Sequence, residues 1–172
     1  MASVNKLNDI NNVLHEHFKT NKTYLEEEDA SMRIEVDKRG CKSLFYKFDK
    51  QLPREYKGGL FPFFAKKKGV CQVCDYLIFA EKNNNFFVLI VELKRGKQQT
   101  MPQLDAGECF ADYIIATMDR ITKQQSDVTI RKISVQNYRI RKKKTKQQEI
   151  EYDENNHYHL KDNKFHIAAF LK

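Results

Sequence analysis

Three residues in the middle of the chain have types and spacing that suit metal-assisted hydrolysis: Asp75, and Glu92 with Lys94 two positions further on. They lie in two apolar runs of strand length, residues 73–80 and 86–93. A strand alternates its faces, so Glu92 and Lys94 point one way while Val91 and Leu93 point the other. Between the runs stands Glu81-Lys82-Asn83-Asn84-Asn85, and asparagine tolerates positive φ, which predicts a hairpin. With a four-residue loop over 82–85, or a two-residue loop at Asn83-Asn84, Glu81 faces Phe86. Counting outward equally on both strands then sets Asp75 opposite Glu92. A three-residue loop would slip the register by one and separate them.

Directly opposed residues on an antiparallel pair have Cβ atoms about 4.5–5.5 Å apart. Two carboxylates that close repel, and apolar surroundings add a desolvation cost. A hard divalent cation compensates for both. Mg²⁺ is held by one or two carboxylates while keeping waters, and Mn²⁺ accepts the same oxygen donors. Lys94, on the same face, would neutralise charge and orient an attacking water or help to deprotonate it. The chemistry implied is hydrolysis of a phosphodiester.

The elements that must position these residues can be read around them. Residues 4–19 predict a helix, with Val4, Leu7, Ile10, Val13, Leu14 and Phe18 at spacings of three and four. Residues 21–29 are polar and end in the acidic run Glu26-Glu27-Glu28-Asp29. Strands are expected at 32–36 and 43–48, split by a turn at Lys38-Arg39-Gly40. A loop follows at 51–59, then the apolar patch Leu60-Phe61-Pro62-Phe63-Phe64, read as core rather than as a base-stacking platform. The two central runs are apolar almost throughout, as in strands covered on both faces.

A second helix is expected over 101–121, with Thr100 and Gln103 at capping-box spacing and Pro102 in the first turn. Leu104, Gly107, Ala111, Ile114 and Met118 form its sheet-facing stripe. A strand over 128–138 follows, and residues 157–160 and 165–171 read as a closing strand pair around Lys161-Asp162-Asn163-Lys164. The fold class expected is α/β (α+β): a central mixed sheet flanked by helices, in a single domain spanning 1–172.

This arrangement resembles the PD-(D/E)xK nuclease superfamily, in which one strand supplies an acidic residue and the next supplies Glu-x-Lys, followed by a helix on the sheet. The matching residues are Asp75, Glu92, Leu93 and Lys94, with the helix after Thr100. Cys74 stands where the family's proline would be. The resemblance implies a restriction-endonuclease-like core and a Mg²⁺-dependent (or Mn²⁺-dependent) deoxyribonuclease. Asp75 and Glu92 would be the metal ligands, and Lys94 the residue that orients or activates water. It further implies a Gln or Lys from the following helix, a role that suits Gln103, and an acidic ligand from the first helix. Glu16 is the acidic residue late in that helix, with Glu28 and Glu35 as rivals. The alternative is an inactive descendant of the fold that binds nucleic acid or protein.

Composition sets the partners. Lys+Arg number 31 against 23 Asp+Glu, a net charge of +8 that favours a polyanion through counterion release. DNA is the expected one, with RNA the alternative. Lys66, Lys67 and Lys68 form one candidate phosphate-binding patch, and Arg139, Arg141, Lys142, Lys143 and Lys144 another. Four cysteines are too few for a disulfide scaffold, and Cys71 and Cys74, without a matching second pair, read as buried structural thiols rather than zinc ligands. His157 and His159 share a strand face and read as an exposed edge or a nucleic-acid contact. No apolar run approaches the roughly 20 residues of a membrane span, and the first residues lack a signal-peptide core. The expected compartment is the cytoplasm, with the chain acting as a small stand-alone nuclease, as a homodimer or as a subunit of a larger nuclease or defence system.

Overall fold

The structure is a computed structural model that describes residues 5–29, 31–52, 54, 56, 59–65, 67–95, 99–136, 149–162 and 164–172. Its strands are β1 (Lys19–Thr20), β2 (Tyr24–Glu27), β3 (Met32–Asp37), β4 (Lys42–Lys47), β5 (Tyr76–Lys82), β6 (Asn85–Lys94), β7 (Val128–Gln136), β8 (His157–Leu160) and β9 (Lys164–His166). Its helices are α1 (Lys6–Val13), α2 (Met101–Thr122) and the short α3 (Ile167–Phe170). The class is α+β: a six-stranded mixed sheet in the order β1-β4-β5-β6-β7-β8, with a smaller sheet β2-β3-β9. The first four strands of the large sheet pair antiparallel, whereas β6, β7 and β8 run parallel. A parallel neighbour needs a crossover connection, and α2 provides it between β6 and β7.

The alternation of β5 and β6 feeds two cores. Leu77, Phe79, Phe86, Val88 and Ile90 pack beneath α1 and α2 with Leu7, Ile10, Leu104, Ala111, Ile114 and Met118. On the opposite face, Tyr76, Ile78, Ala80, Leu89, Val91 and Leu93 pack against Leu25 and Ile34 of the small sheet and Phe165 and Phe170. Both faces are therefore covered, which is why these strands read as continuous apolar runs. No helix among the described residues is long and apolar enough to cross a membrane.

Several local expectations change in the fold. The first helix ends at Val13 rather than near residue 19. Leu14 turns extended and a 3₁₀ turn, Glu16–Phe18, follows. Asparagines at 8, 11 and 12 are poor helix formers, and Phe18 reaches its core position from the turn, stacked on Phe48. Thr100 makes no side-chain cap. It is buried with near-helical backbone angles, whereas a capping residue is ordinarily extended. The polar stretch after residue 21 contains a strand, β2, paired antiparallel with β3 so that Leu25 faces Ile34. The closing segments do not pair with each other: β8 joins β7, while β9 joins β3 of the other sheet and leads into α3. The Phe61–Phe64 patch is not core either, since Phe63 is 77% and Phe64 47% exposed.

α2 comes closest to the sheet at Gly107. A Cβ placed there would lie 2.6 Å from Ile90 Cγ2 and 2.7 Å from Cys74 Sγ. Gly107→Ala is expected to destabilise the protein by about 1–3 kcal/mol through overpacking, even though alanine is the better helix former. Urea denaturation measures it. An unchanged or higher stability would mean that the helix is not held against Cys74.

Candidate metal centre

The hairpin turn sets the geometry. Asn83 and Asn84 both have positive φ (51° and 64°), the two-residue loop whose twist matches the flanking strands. Lys82 therefore pairs with Asn85 and Tyr76 with Val91. Asp75 and Glu92 lie one position beyond that last pair, in the register read from the sequence. Their side chains interlock with the main chain. Asp75 N–H donates to Glu92 Oε2 at 3.1 Å, and Leu93 N–H donates to Asp75 Oδ2 at 2.6 Å. Lys94 Nζ donates to Glu92 Oε1 at 2.9 Å. Glu92 is 1% and Asp75 6% exposed.

Two further carboxylates arrive from elements whose role was not legible in the sequence. Tyr76 fixes β2 over the start of β5, its hydroxyl donating to Glu26 O at 3.0 Å and accepting from Glu26 N–H at 2.9 Å. That bond places the next residue, Glu27, against Asp75. Asp49 follows β4 on the other side. One carboxylate oxygen each from Glu27, Asp49 and Asp75 lie within 4.8 Å of one another. Lys47 bridges this edge, with Nζ 3.8 Å from Glu27 Oε2 and 3.7 Å from Asp49 Oδ1. Both are ion-pair distances too long for hydrogen bonds, and Glu27 Oε2 is buried without a hydrogen-bond partner.

The electrostatics follow from this crowding. Burial, then the charge of Glu92, pushes the Asp75 carboxyl well above the ordinary carboxylate range, although the Leu93 N–H opposes the shift. Glu92 is raised by burial, with Lys94 pulling the other way. Asp49 is raised by burial and by Glu27, against the pull of Lys47. Burial disfavours the Lys94 ammonium, but the bond to Glu92 and the charges of Glu92, Asp75 and Glu27 outweigh it and hold its pKa above the usual lysine value. A donor set made only of carboxylate oxygens, with one buried oxygen unpaired, fits a hard divalent cation. Glu92 adjoins this set, and each of its engaged oxygens keeps a second lone pair.

The remaining predicted residues fall as follows. Glu16 is exposed in the 3₁₀ turn, and its place as the N-terminal acidic residue of the cluster is taken by Glu27. Glu28 is exposed in the turn after β2, and Glu35 is exposed on β3. Gln103 lies in the first turn of α2 with Oε1 buried and unpaired. Lys67 and Lys68 are exposed; Lys66, Arg139, Arg141, Lys142, Lys143 and Lys144 lie outside the described residues. Cys74 is buried as expected, but Cys71 is exposed because it precedes the strand.

His157 and His159 lie on β8, the edge strand of the large sheet, and are half-buried rather than exposed. Both are hydrogen-bonded to the hydroxyl of Ser134, at 2.8 and 2.7 Å. Ser134 pairs with Glu92 on one side and with His159 on the other, so it extends the polar row across the sheet. Alternation within β7 was the available signal for it. Glu27 could have been found from Tyr24–Glu27 and Met32–Asp37 read together as an antiparallel pair.

No family model, curated protein or solved structure matches the chain.

Because Asp75 titrates above its unfolded value, the folded protein holds a proton there that the unfolded chain has already released. This contribution to stability is present at low pH and is lost as pH rises from the ordinary carboxylate range through the raised one. Asp75→Asn cannot ionise. In EDTA, its thermal midpoint is expected to fall less than that of the wild type between about pH 5 and about pH 8. Adding roughly 10 mM Mg²⁺ should stabilise the wild type by about 1.4 kcal/mol for a site of about 1 mM affinity, and the variant by less. Identical pH slopes for the two proteins would show that Asp75 is not the strained group.

Proposed function

We propose that this chain is a Mg²⁺-dependent nuclease of the PD-(D/E)xK type that hydrolyses phosphodiester bonds in DNA. The reading is carried by one observation: Asp75 and Glu92 meet across a hairpin in a buried setting, Lys94 is bonded to Glu92, and Glu27 and Asp49 converge on Asp75.

Asp75, Glu27 and Asp49, with Glu92 beside them, would hold the cation. When bound, it supplies Lewis acidity at the scissile phosphate and makes water a competent nucleophile near neutral pH. The chain's own residues do the rest. The interlocked main-chain bonds hold the two central carboxylates in one orientation, so little reorganisation is needed as charge develops. With the cation holding the carboxylates ionised, Lys94 remains an ammonium, which makes it a donor that orients the attacking water and stabilises charge growing on a phosphate oxygen. A hydrogen bond from an ammonium to such an oxygen is stronger than a neutral one. Gln103, with an unpaired acceptor in the first turn of α2, is proposed to help orient the same water. The net charge of +8 supplies the attraction for the polyanion. The free cysteines suit the reducing cytoplasm.

The test is cleavage of plasmid and single-stranded DNA with Mg²⁺ and with EDTA. Cutting is expected with the metal and none with the chelator. Lys94→Ala should lower the rate about 10²–10³-fold, the scale of losing one preorganised donor, while Mg²⁺ still stabilises that variant. Asp75→Ala should abolish both effects. Glu27→Gln should weaken Mg²⁺ dependence, whereas Glu16→Gln should leave it unchanged. Salt-sensitive DNA binding without cutting at any metal concentration would replace the enzyme by a nucleic-acid-binding module.

A further inference from the structure

The segment between β4 and β5 carries apolar rings that the fold does not bury. Of the large apolar side chains exposed among the described residues, Phe63, Phe64 and Val70 belong to this one stretch. Phe63 and Phe64 touch each other with ring centroids 4.7 Å apart, and Phe61 backs them at 6.4 and 5.9 Å. Phe61 is anchored edge-on to Phe110 of α2 at 5.2 Å, and Phe110 meets Phe48 at 4.8 Å. Phe48 immediately precedes Asp49, and Phe110 lies three residues after Gly107, which packs on Cys74 next to Asp75. A continuous aromatic ladder thus runs from the exposed tip to the neighbours of two acidic residues of the metal centre.

The tip is also cationic. Lys67 and Lys68 follow within a few residues, both exposed, in a turn closed by Val70 N–H donating to Lys67 O at 3.2 Å. We infer that Phe63 and Phe64, with Lys67 and Lys68, form a stacking platform for unpaired bases of a single-stranded nucleic acid. The inference rests on the nuclease reading for its choice of polyanion and adds the strandedness of the substrate. Size favours a base over a protein. Two phenylalanines offer at most a few hundred Å², far below the roughly 1,200–2,000 Å² of a stable protein interface, but enough for one or two bases. Every base has a π-face, so such a platform accepts any sequence, while neighbouring lysines hold the phosphates. In a duplex the base faces are already stacked on each other, and the rings gain nothing.

Binding is measured in EDTA, where cutting does not intervene, with a labelled thymidine oligonucleotide of about 20 residues and a blunt duplex of equal length. The wild type should prefer the single strand. Phe63→Ala with Phe64→Ala should weaken that binding at least about tenfold, with an unchanged salt slope and an unchanged thermal midpoint. Lys67→Ala with Lys68→Ala should instead flatten the salt slope. The chain contains no tryptophan, so Phe63→Trp places a single reporter at the tip. Its fluorescence should be quenched by the single strand and little by the duplex or by heparin, a polyanion without bases.

Equal affinity of the wild type and the double alanine variant overturns the platform, as does quenching by heparin to the same extent. Failure to bind any oligonucleotide overturns it too, even if vesicles or proteins are bound instead. Ring-dependent binding with no Mg²⁺-dependent cutting would leave the platform standing and remove the nuclease reading. Cutting that ignores the ring substitutions would do the reverse.

Discussion

Two carboxylates buried side by side are the constraint around which this structure is arranged. Asp75 and Glu92 each accept a hydrogen bond from the main chain of the other's strand, where a regular ladder would have used carbonyl oxygens. Side chains thus end the β5–β6 ladder at Tyr76 and Val91 and satisfy amide groups that would be costly to bury unpaired. The carboxyl groups then cannot turn to solvent without exposing those amides. Their repulsion is built in, and burial enlarges it.

The elements around the pair follow from holding it there. The two-asparagine turn fixes the register, since a slip of one residue would turn Glu92 toward the small sheet and Leu93 toward the helices. Tyr76, in the core shared with the small sheet, reaches the β2 main chain and brings Glu27 alongside Asp75. α2 closes over the helical face through Gly107 and is tied further along by Lys132, which pairs with Asp105 at 2.8 Å and Glu108 at 2.5 Å. On that face the residues of β6 and β7 turn polar towards the site: Glu92 follows Ile90, and Lys132, paired with Ile90, and Ser134, paired with Glu92, follow Ile130. The candidate site is the place where the helical core ends.

What was legible in the sequence is what local rules control. The turn chemistry of Asn83-Asn84 and the alternation of two strands were enough to bring Asp75, Glu92 and Lys94 together. The stripe of α2 was equally readable, because Leu104, Gly107, Ala111, Ile114 and Met118 are all buried. Glu27 was not readable in the same way. Tyr24–Glu27 has one fully buried residue, and its strand character comes from pairing with β3 and from a hydroxyl fifty positions away. The last forty residues misled for a related reason. A turn between two short apolar stretches looks like a hairpin, yet each stretch completes a different sheet edge, and only the tertiary fold decides which edges are open. The Phe61–Phe64 patch was misread because composition alone cannot tell an apolar run that is buried from one that is presented.

Charge is the remaining tension in the proposed reading, since a polyanion must approach a cluster of four acidic residues. The sign of the whole chain helps at long range, but a Debye length of about 8 Å at physiological salt limits that help near the cluster. Cations must therefore be placed at two scales. Lys94, paired with Glu92, and Lys47, shared by Glu27 and Asp49, sit within the cluster and are already committed there. They reduce the local negative charge without leaving a free ammonium for a distant phosphate. Lys67 and Lys68 are exposed beyond the aromatic ladder and can meet the backbone away from the scissile bond. In the proposed reading a divalent cation would supply what neither set can, two positive charges at the point where carboxylates and a phosphate oxygen would lie together. Substrate and ion would consequently depend on each other, because the ion would offset the repulsion between carboxylates and phosphate, and the phosphate would add an oxygen donor for the ion.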